Sequence, residues 1–272
     1  MTSSRRKFLK GFTLTSACLL TGGFEVLTAE DILSAKEKVV LRFAVGSDAH
    51  YGQPNTEFNK TLRDFVLNVN NFHKGSKLDA CVVNGDLIHD KKELLTEVKQ
   101  NLDKLSMPYY VTQGNHDHVT PEYWKDTWTV AMDYDAIVKG NVFLMMTTSN
   151  EKGESLSPDL IWMKKKLDEH KQKNVFLFLH IAQQKWTSGS ISNPAYAELI
   201  KNYPNVKGVF HGHDHDQDGV KMLGTIPHLF DSHIGGNWGT DYKGYRIVEL
   251  MKDNSVRTYI MNPVKEINTA TY

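Results

Sequence analysis

A chain of 272 residues, 40% hydrophobic and 24% charged, can bury the core of one large domain or of two small ones. Lys plus Arg and Asp plus Glu both number 32, so the formal net charge is zero. That balance excludes a nucleic-acid grip built on bulk basicity and offers no dense cationic face to a membrane.

The first residues are set apart from the rest. Ser4-Arg5-Arg6-Lys7-Phe8-Leu9-Lys10 is a paired-arginine segment followed by a modestly apolar run over residues 12–20. It resembles a twin-arginine export signal, and the run is too short and too rich in Thr, Ser and Gly to remain as a membrane span. Cleavage after Ala29, in Leu27-Thr28-Ala29, removes residues 1–29 and leaves a mildly acidic chain; Leu27 is not the small residue preferred there. The resemblance implies export to the periplasm through the twin-arginine machinery. Cys18, preceded by Ser16-Ala17, offers a lipid-anchored alternative, weakened because Thr15 stands where a leucine is expected. Cys81 lies in an apolar run and reads as a small core residue, so the mature monomer has no disulfide framework.

From Lys38 short apolar runs alternate with helical segments, and one α/β domain over 38–265 is expected. Residues 39–45 read as a strand ending at Gly46-Ser47-Asp48. Residues 56–72 read as an amphipathic helix, with Phe58, Leu62, Phe65, Val66 and Val69 at helical spacing. Residues 80–83 form a buried strand before Asn84-Gly85-Asp86, and residues 91–105 a helix. Residues 108–111 are the strand before Gly114-Asn115-His116-Asp117. Trp124 and Trp128 lie four apart on a short helix over residues 121–132 and belong to the core. A strand over 141–146 precedes a helix to about residue 172 that Ser157-Pro158-Asp159 opens, with Ser157 as its cap. Strands over 175–179 and 206–210 end at His180 and at His211-Gly212-His213. The chain finishes in a hairpin, 245–251 against 256–261, turning at Asp253-Asn254.

Five of these strands run directly into metal-type ligands: Asp48-Ala49-His50, Gly85-Asp86, Gly114-Asn115-His116-Asp117, His180, and Gly212-His213-Asp214-His215. Parallel strands put their carboxyl ends on one rim, so such groups can converge. Carboxylate and amide oxygens with imidazole nitrogens, and no thiolate, suit borderline divalent metals. Seven candidate ligands suffice for two ions about 3.5–4 Å apart that share a carboxylate.

This ordered set resembles the calcineurin-like metallophosphoesterases over nearly the whole chain beyond the signal. The resemblance implies an α/β fold: a mixed two-sheet β sandwich flanked by helices. It also implies two divalent ions (Mn, Fe or Zn, all of which this ligand set accepts). Asp48, His50 and His215 would hold one ion, Asn115, His180 and His213 the other, and Asp86 would bridge them. His116 would donate the proton or contact phosphate, with Asp117 orienting its ring. Two cations acidify water and neutralise phosphate oxygens, while an imidazole beside a carboxylate protonates the leaving alkoxide.

Departures from the family's branches narrow the reading. Leu87-Ile88-His89-Asp90 lacks the arginine that follows in the Ser/Thr protein phosphatases. His89 stands where purple acid phosphatases place a metal-binding tyrosine. Gly-Asp-Leu-x-His is similar to the double-strand-break repair nucleases, but the expected export and the neutral charge oppose that role. Ile181-Ala182 replaces the histidine and proline that follow in many relatives. The expected activity is hydrolysis of a small phosphomonoester, or a diester such as a cyclic nucleotide, with no stable nucleic-acid complex. A non-catalytic metal-binding module and a secreted nuclease are the alternatives; substrate and oligomeric state stay open. Among the remaining groups, His211 should face the other side of its strand, and His89 and His118 the pocket rim. The glycine-rich stretch around His233 and Trp238 offers a pocket wall.

Overall fold

A computed structural model describes residues 38–262 and 265–272; the expected signal and Cys18 lie outside them. Two six-stranded sheets stack face to face, each covered by helices on its outer side. In the first, the spatial order is β12 (Lys265–Thr271), β11 (Val256–Asn262), β10 (Tyr245–Met251), β1 (Val39–Gly46), β2 (Ala80–Asn84) and β3 (Tyr109–Thr112). In the second it is β4 (Tyr134–Val138), β5 (Asn141–Met146), β6 (Val175–Leu179), β7 (Val206–His211), β9 (Ile226–Phe230) and β8 (Val220–Leu223). Strands β1, β2 and β3 are mutually parallel, as are β5, β6, β7 and β9; the remaining strands are antiparallel additions at the edges. The expected α/β sandwich is therefore what the chain forms.

Period-two alternation explains how one strand serves two layers. In β1, Phe43 and Val45 face the opposite sheet while Ala44 faces the helices. In β2, Ala80 and Val82 face inward, and Cys81 and Val83 outward. Strands covered on both faces read as unbroken apolar runs, which is why β2, β5 and β6 were conspicuous in the sequence. Between the sheets, the Phe43 ring lies 4.7 Å from Phe143 and 5.1 Å from Phe176, and Phe178 stacks on Phe210 at 5.0 Å.

Helices α1 (Phe58–Gly75), α2 (Leu95–Leu102) and α3 (Pro121–Trp128) cover the first sheet. Their buried faces include Leu62, Phe65, Val69, Val98 and Trp124. Helices α4 (Leu160–Glu169) and α5 (Pro194–Ile200) cover the second through Met163, Leu167, Tyr196 and Ile200. Among the described residues no helix is long and apolar enough to cross a membrane.

Several expectations need correction. Ser157 does not cap α4: Asp159 does, accepting from the amides of Ile161 and Trp162 at 2.9 and 3.0 Å. A carboxylate at the positive helix end outcompetes the hydroxyl two residues earlier. The final strand also carries the fold past the expected limit at 265, because β12 adds to β11 and runs to Thr271.

Candidate metal centre and active site

The loops after β1, β2, β3, β6 and β7 meet on one rim, tied by backbone bonds that prolong the sheets. Asp48 N–H donates to Gly85 O at 3.0 Å, His50 N–H to Asp86 O at 2.9 Å, and Gly212 N–H to His180 O at 3.1 Å. The two sheets meet at this rim because Asn84 Nδ2, at the end of β2, donates to Phe210 O in β7 at 3.0 Å. Asp48, His50, Asp86 and His213 have left-handed φ values of 58°, 43°, 50° and 65°. Each such residue costs on the order of 1–3 kcal/mol unless its surroundings enforce it, and such strain clusters at functional sites. Gly85 (φ +83°) and Gly114 are required here for room. A Cβ on the first would enter the His180 ring, and on the second it would strike the Asp86 backbone.

Two groups of donor atoms result. In the first, His215 Nε2 lies 3.1 Å from Asp48 Oδ1 and 3.0 Å from His50 Nε2. In the second, Asp86, His180 and His213 offer atoms all within 4.8 Å of one another, and Asn115 Oδ1 lies 2.8 Å from His213 Nδ1. Asp86 Oδ2 stands between the groups, 3.5 Å from His50 Nε2 and 3.3 Å from His180 Nε2. All seven residues expected as ligands are thus brought together. Five of them, Asp48, His50, Asp86, His180 and His215, are buried.

The donors are held in ligating orientations. His180 Nδ1–H donates to Asn84 O at 2.8 Å, leaving Nε2 buried, turned to Asp86 and without a hydrogen-bond partner. The Asp48 carboxylate accepts from His213 N–H at 3.0 and 3.1 Å. His50 Nδ1 meets His89 Nδ1 at 3.0 Å, fixing the ring whose Nε2 faces Asp86. Fixing the far nitrogen of each imidazole aims the near one.

Electrostatics favour positive charge in this pocket. Burial would raise the Asp48 carboxyl, yet His215 and His180 hold it down at about 2. Asp86 goes well below the usual carboxylate range, His180 outweighing burial. Burial opposes protonation of His180 too, but Asp86 and Asp48 raise it to about 10. Burial lowers His50 to about 3, leaving it a neutral donor. The nitrogens of His50 and His215 at 3.0 Å cannot both be bare lone pairs; a proton or a cation must lie between them. Orphaned His180 Nε2, two carboxylates kept ionised, and opposed imidazoles together fit divalent cations.

The catalytic pair expected at His116 and Asp117 divides differently. Asp117 does not reach the His116 ring; it is buried and accepts from the amides of Gly114 at 2.7 Å and Ile88 at 3.0 Å. Burial, with the Asp86 charge, raises its carboxyl to about 8. Asp117 therefore folds the loop instead of orienting the imidazole. That partner is Asp90, whose Oδ1 lies 2.7 Å from His116 Nδ1. Asp90 N–H donates to His116 O at 3.0 Å, so the loops after β2 and β3 bring the pair together through the backbone as well. Asp90 was visible four residues after Asp86; the signal that could have found it was a second carboxylate in the same loop.

Other polar residues fall into place around the rim. His211 is buried away from the ligands, its Nδ1–H donating to Leu179 O and its Nε2 2.8 Å from His228 Nδ1. His233 is buried behind His215, whereas Trp238 stacks on His215 at 4.3 Å and remains 43% exposed, so only the tryptophan reaches solvent at the rim. His89 stacks on His116 at 4.8 Å, and His118 lies beside Asp90.

Known proteins place this architecture. The sequence model of the calcineurin-like phosphoesterase family matches residues 41–217. A protein of Arcobacter nitrofigilis named probable glycerophosphodiester phosphodiesterase is 26% identical over 176 residues, covering 58% of this chain. The match spans 64% of that protein, under two thirds of its length. A dimetal phosphatase from Danio rerio has a similar fold, with TM-score 0.67 at 15% identity over 86% of this chain and 98% of its own. A purple acid phosphatase from yellow lupin seeds follows at TM-score 0.62 and 13% identity, over 85% and 53%. With the family's sequence matched from β1 through the His213–His215 loop, the chain belongs to the calcineurin-like phosphoesterases.

Proposed function

We propose that this protein is a metal-dependent phosphoester hydrolase acting on small phosphodiesters, glycerophosphodiesters foremost, with phosphomonoesters as the lesser class. The observation that carries the reading is the placement of Asp86 Oδ2 between two imidazole groups, beside the His116–Asp90 pair on the same rim. The named relative supports the diester preference.

Asp48, His50 and His215 would hold one ion, and Asn115, His180 and His213 the other, with Asp86 shared. When bound, the pair neutralises phosphate oxygens and acidifies water. Asp86 also accepts from the His116 amide through Oδ1 at 2.8 Å, so the residue that joins the two groups positions the proton donor's backbone. His116 then protonates the leaving alkoxide. Asp90 stabilises the imidazolium before the transfer and, by accepting from Nδ1–H, fixes the tautomer of the neutral ring after it.

The test is turnover of a panel of glycerophosphodiesters, cyclic nucleotides, monoesters and pyrophosphate esters by metal-reconstituted protein. Diester turnover that His116→Ala abolishes while metal content is kept supports the reading. No turnover of any ester with two ions bound would leave a metal-binding module instead. We further propose export by the twin-arginine route, on the strength of Arg5-Arg6 and the apolar run behind them. Replacing both arginines by lysine should retain the protein in the cytoplasm; unchanged periplasmic yield would rule the route out.

A further inference from the structure

Asp90 faces a second imidazole besides His116. The Oδ1 atom that meets His116 Nδ1 at 2.7 Å lies 3.3 Å from His118 Nε2. His118 Nδ1–H donates to Glu151 O at 3.0 Å, which turns Nε2 toward the Asp90 carboxylate. An imidazole nitrogen and a carboxylate oxygen at this distance share a proton or a cation. The ring is seated firmly: Gly153 packs so closely that a Cβ there would lie 2.8 Å from His118 Cε1. A third imidazole, His89, brings Nε2 to 3.8 Å from Asp90 Oδ2.

We propose that Asp90, His116 through Nδ1 and His118 through Nε2 form a third, weaker metal site that takes zinc, distinct from the two ligand groups of the buried centre. Two imidazole nitrogens and one carboxylate oxygen match zinc's ligand preference, with water or His89 left to complete a tetrahedron. Zinc bonds of about 2.0–2.1 Å in that geometry separate ligand atoms by roughly 3.3 Å. The Asp90–His118 pair already has this spacing, the Asp90–His116 pair opens slightly, and all three atoms lie within 4.8 Å of one another. The hydrogen on His116 Nδ1 leaves as a proton when zinc binds there. Asp90, His116 and His118 have side chains 50%, 30% and 33% exposed, so an ion here exchanges with solvent while the buried centre retains its own.

Zinc at this site occupies both members of the proton-donating pair, so excess zinc inhibits turnover. Binding itself stands on the three side chains alone; inhibition rests on the role proposed for His116.

The experiment is equilibrium dialysis of untagged, metal-loaded protein against a zinc series, with zinc counted per chain and proton release followed by calorimetry in buffers of different ionisation enthalpy. The wild type should take up one more zinc per chain than His118→Ala, with release of about one proton. Loss of a ligand should weaken the extra site 10–100-fold or more, in line with the sensitivity of metal sites to their surroundings. His118→Gln, which keeps an amide to donate to Glu151, should behave like His118→Ala if folding of the latter suffers. Equal zinc uptake by the wild type and both variants would overturn the site. Extra uptake without inhibition would keep the site and remove His116 from proton transfer.

Discussion

The same strands build two regions of opposite character. Strand β1 carries Phe43 into the layer between the sheets and, a few residues later, Asp48 into the pocket; β6 does likewise with Phe178 and His180, and β7 with Phe210 and His213. The inter-sheet layer is apolar, aromatic and made of ordinary extended backbone. The rim is polar, charged, and held in left-handed conformations at Asp48, His50, Asp86 and His213. The contrast teaches where the stability lies: burial of the phenylalanines holds the strand ends so firmly that their loops can keep strained backbones and ionised carboxylates out of water.

If the division is real, rim and core substitutions should fail in different assays. The largest effect is expected from His116→Ala, which should lower kcat by about 10²–10⁴-fold while leaving Tm and the metal content of the buried centre unchanged. Loss of metal from the buried centre in that variant would move His116 from proton transfer into that centre's ligand set. Phe43→Ala is the converse. It empties the centre of the aromatic layer and should cost about 3–5 kcal/mol of unfolding free energy in denaturant titration, with kcat of the folded fraction kept. A variant equally stable but inactive would show that core and rim are not separable.

A finer test separates the two aspartates near His116. Asp90→Asn should lower kcat at least tenfold with little change in stability, because an amide cannot stabilise the imidazolium. Asp117→Asn should instead lower Tm, since both carboxyl oxygens accept, from Ile88 and Gly114, and an amide offers only one acceptor. The reverse pattern would restore Asp117 as the orienting group.

The smallest effect concerns pH. Burial holds His228 well below its ordinary value, so the folded chain keeps it neutral while the unfolded chain protonates it below about pH 6.5. The unfolded state then binds more protons, and stability falls as pH drops through that value, by up to about 1.4 kcal/mol per pH unit for this one group. His228→Gln should flatten the acid limb of a stability–pH curve. An unchanged limb would mean that other groups set it.

The sequence made the ligand set legible because each member follows an apolar run, and parallel strands leave their carboxyl ends on one side. Antiparallel β4, β8 and β12 are harder to read: they are sheet additions whose residues, Val138 apart, are exposed or half-buried, and no long apolar run announces them. The choice between Asp90 and Asp117 could not be read from spacing. It depends on a left-handed turn at Asp90 (φ 65°) and on two amides that draw Asp117 beneath the loop, both of which are tertiary facts. Adjacency in sequence suggested Asp117, whereas the backbone bond from Asp90 to His116 O decides otherwise.

The central claim is that Asp86 joins two ligand groups into one dinuclear centre. Its most direct test is the metal content, by elemental analysis, of exhaustively dialysed wild-type and Asp86→Asn protein. Two tightly held ions per chain in the wild type, with occupancy of both positions falling together in Asp86→Asn, is the predicted result. A single ion in the wild type, or two ions retained in Asp86→Asn, would contradict it.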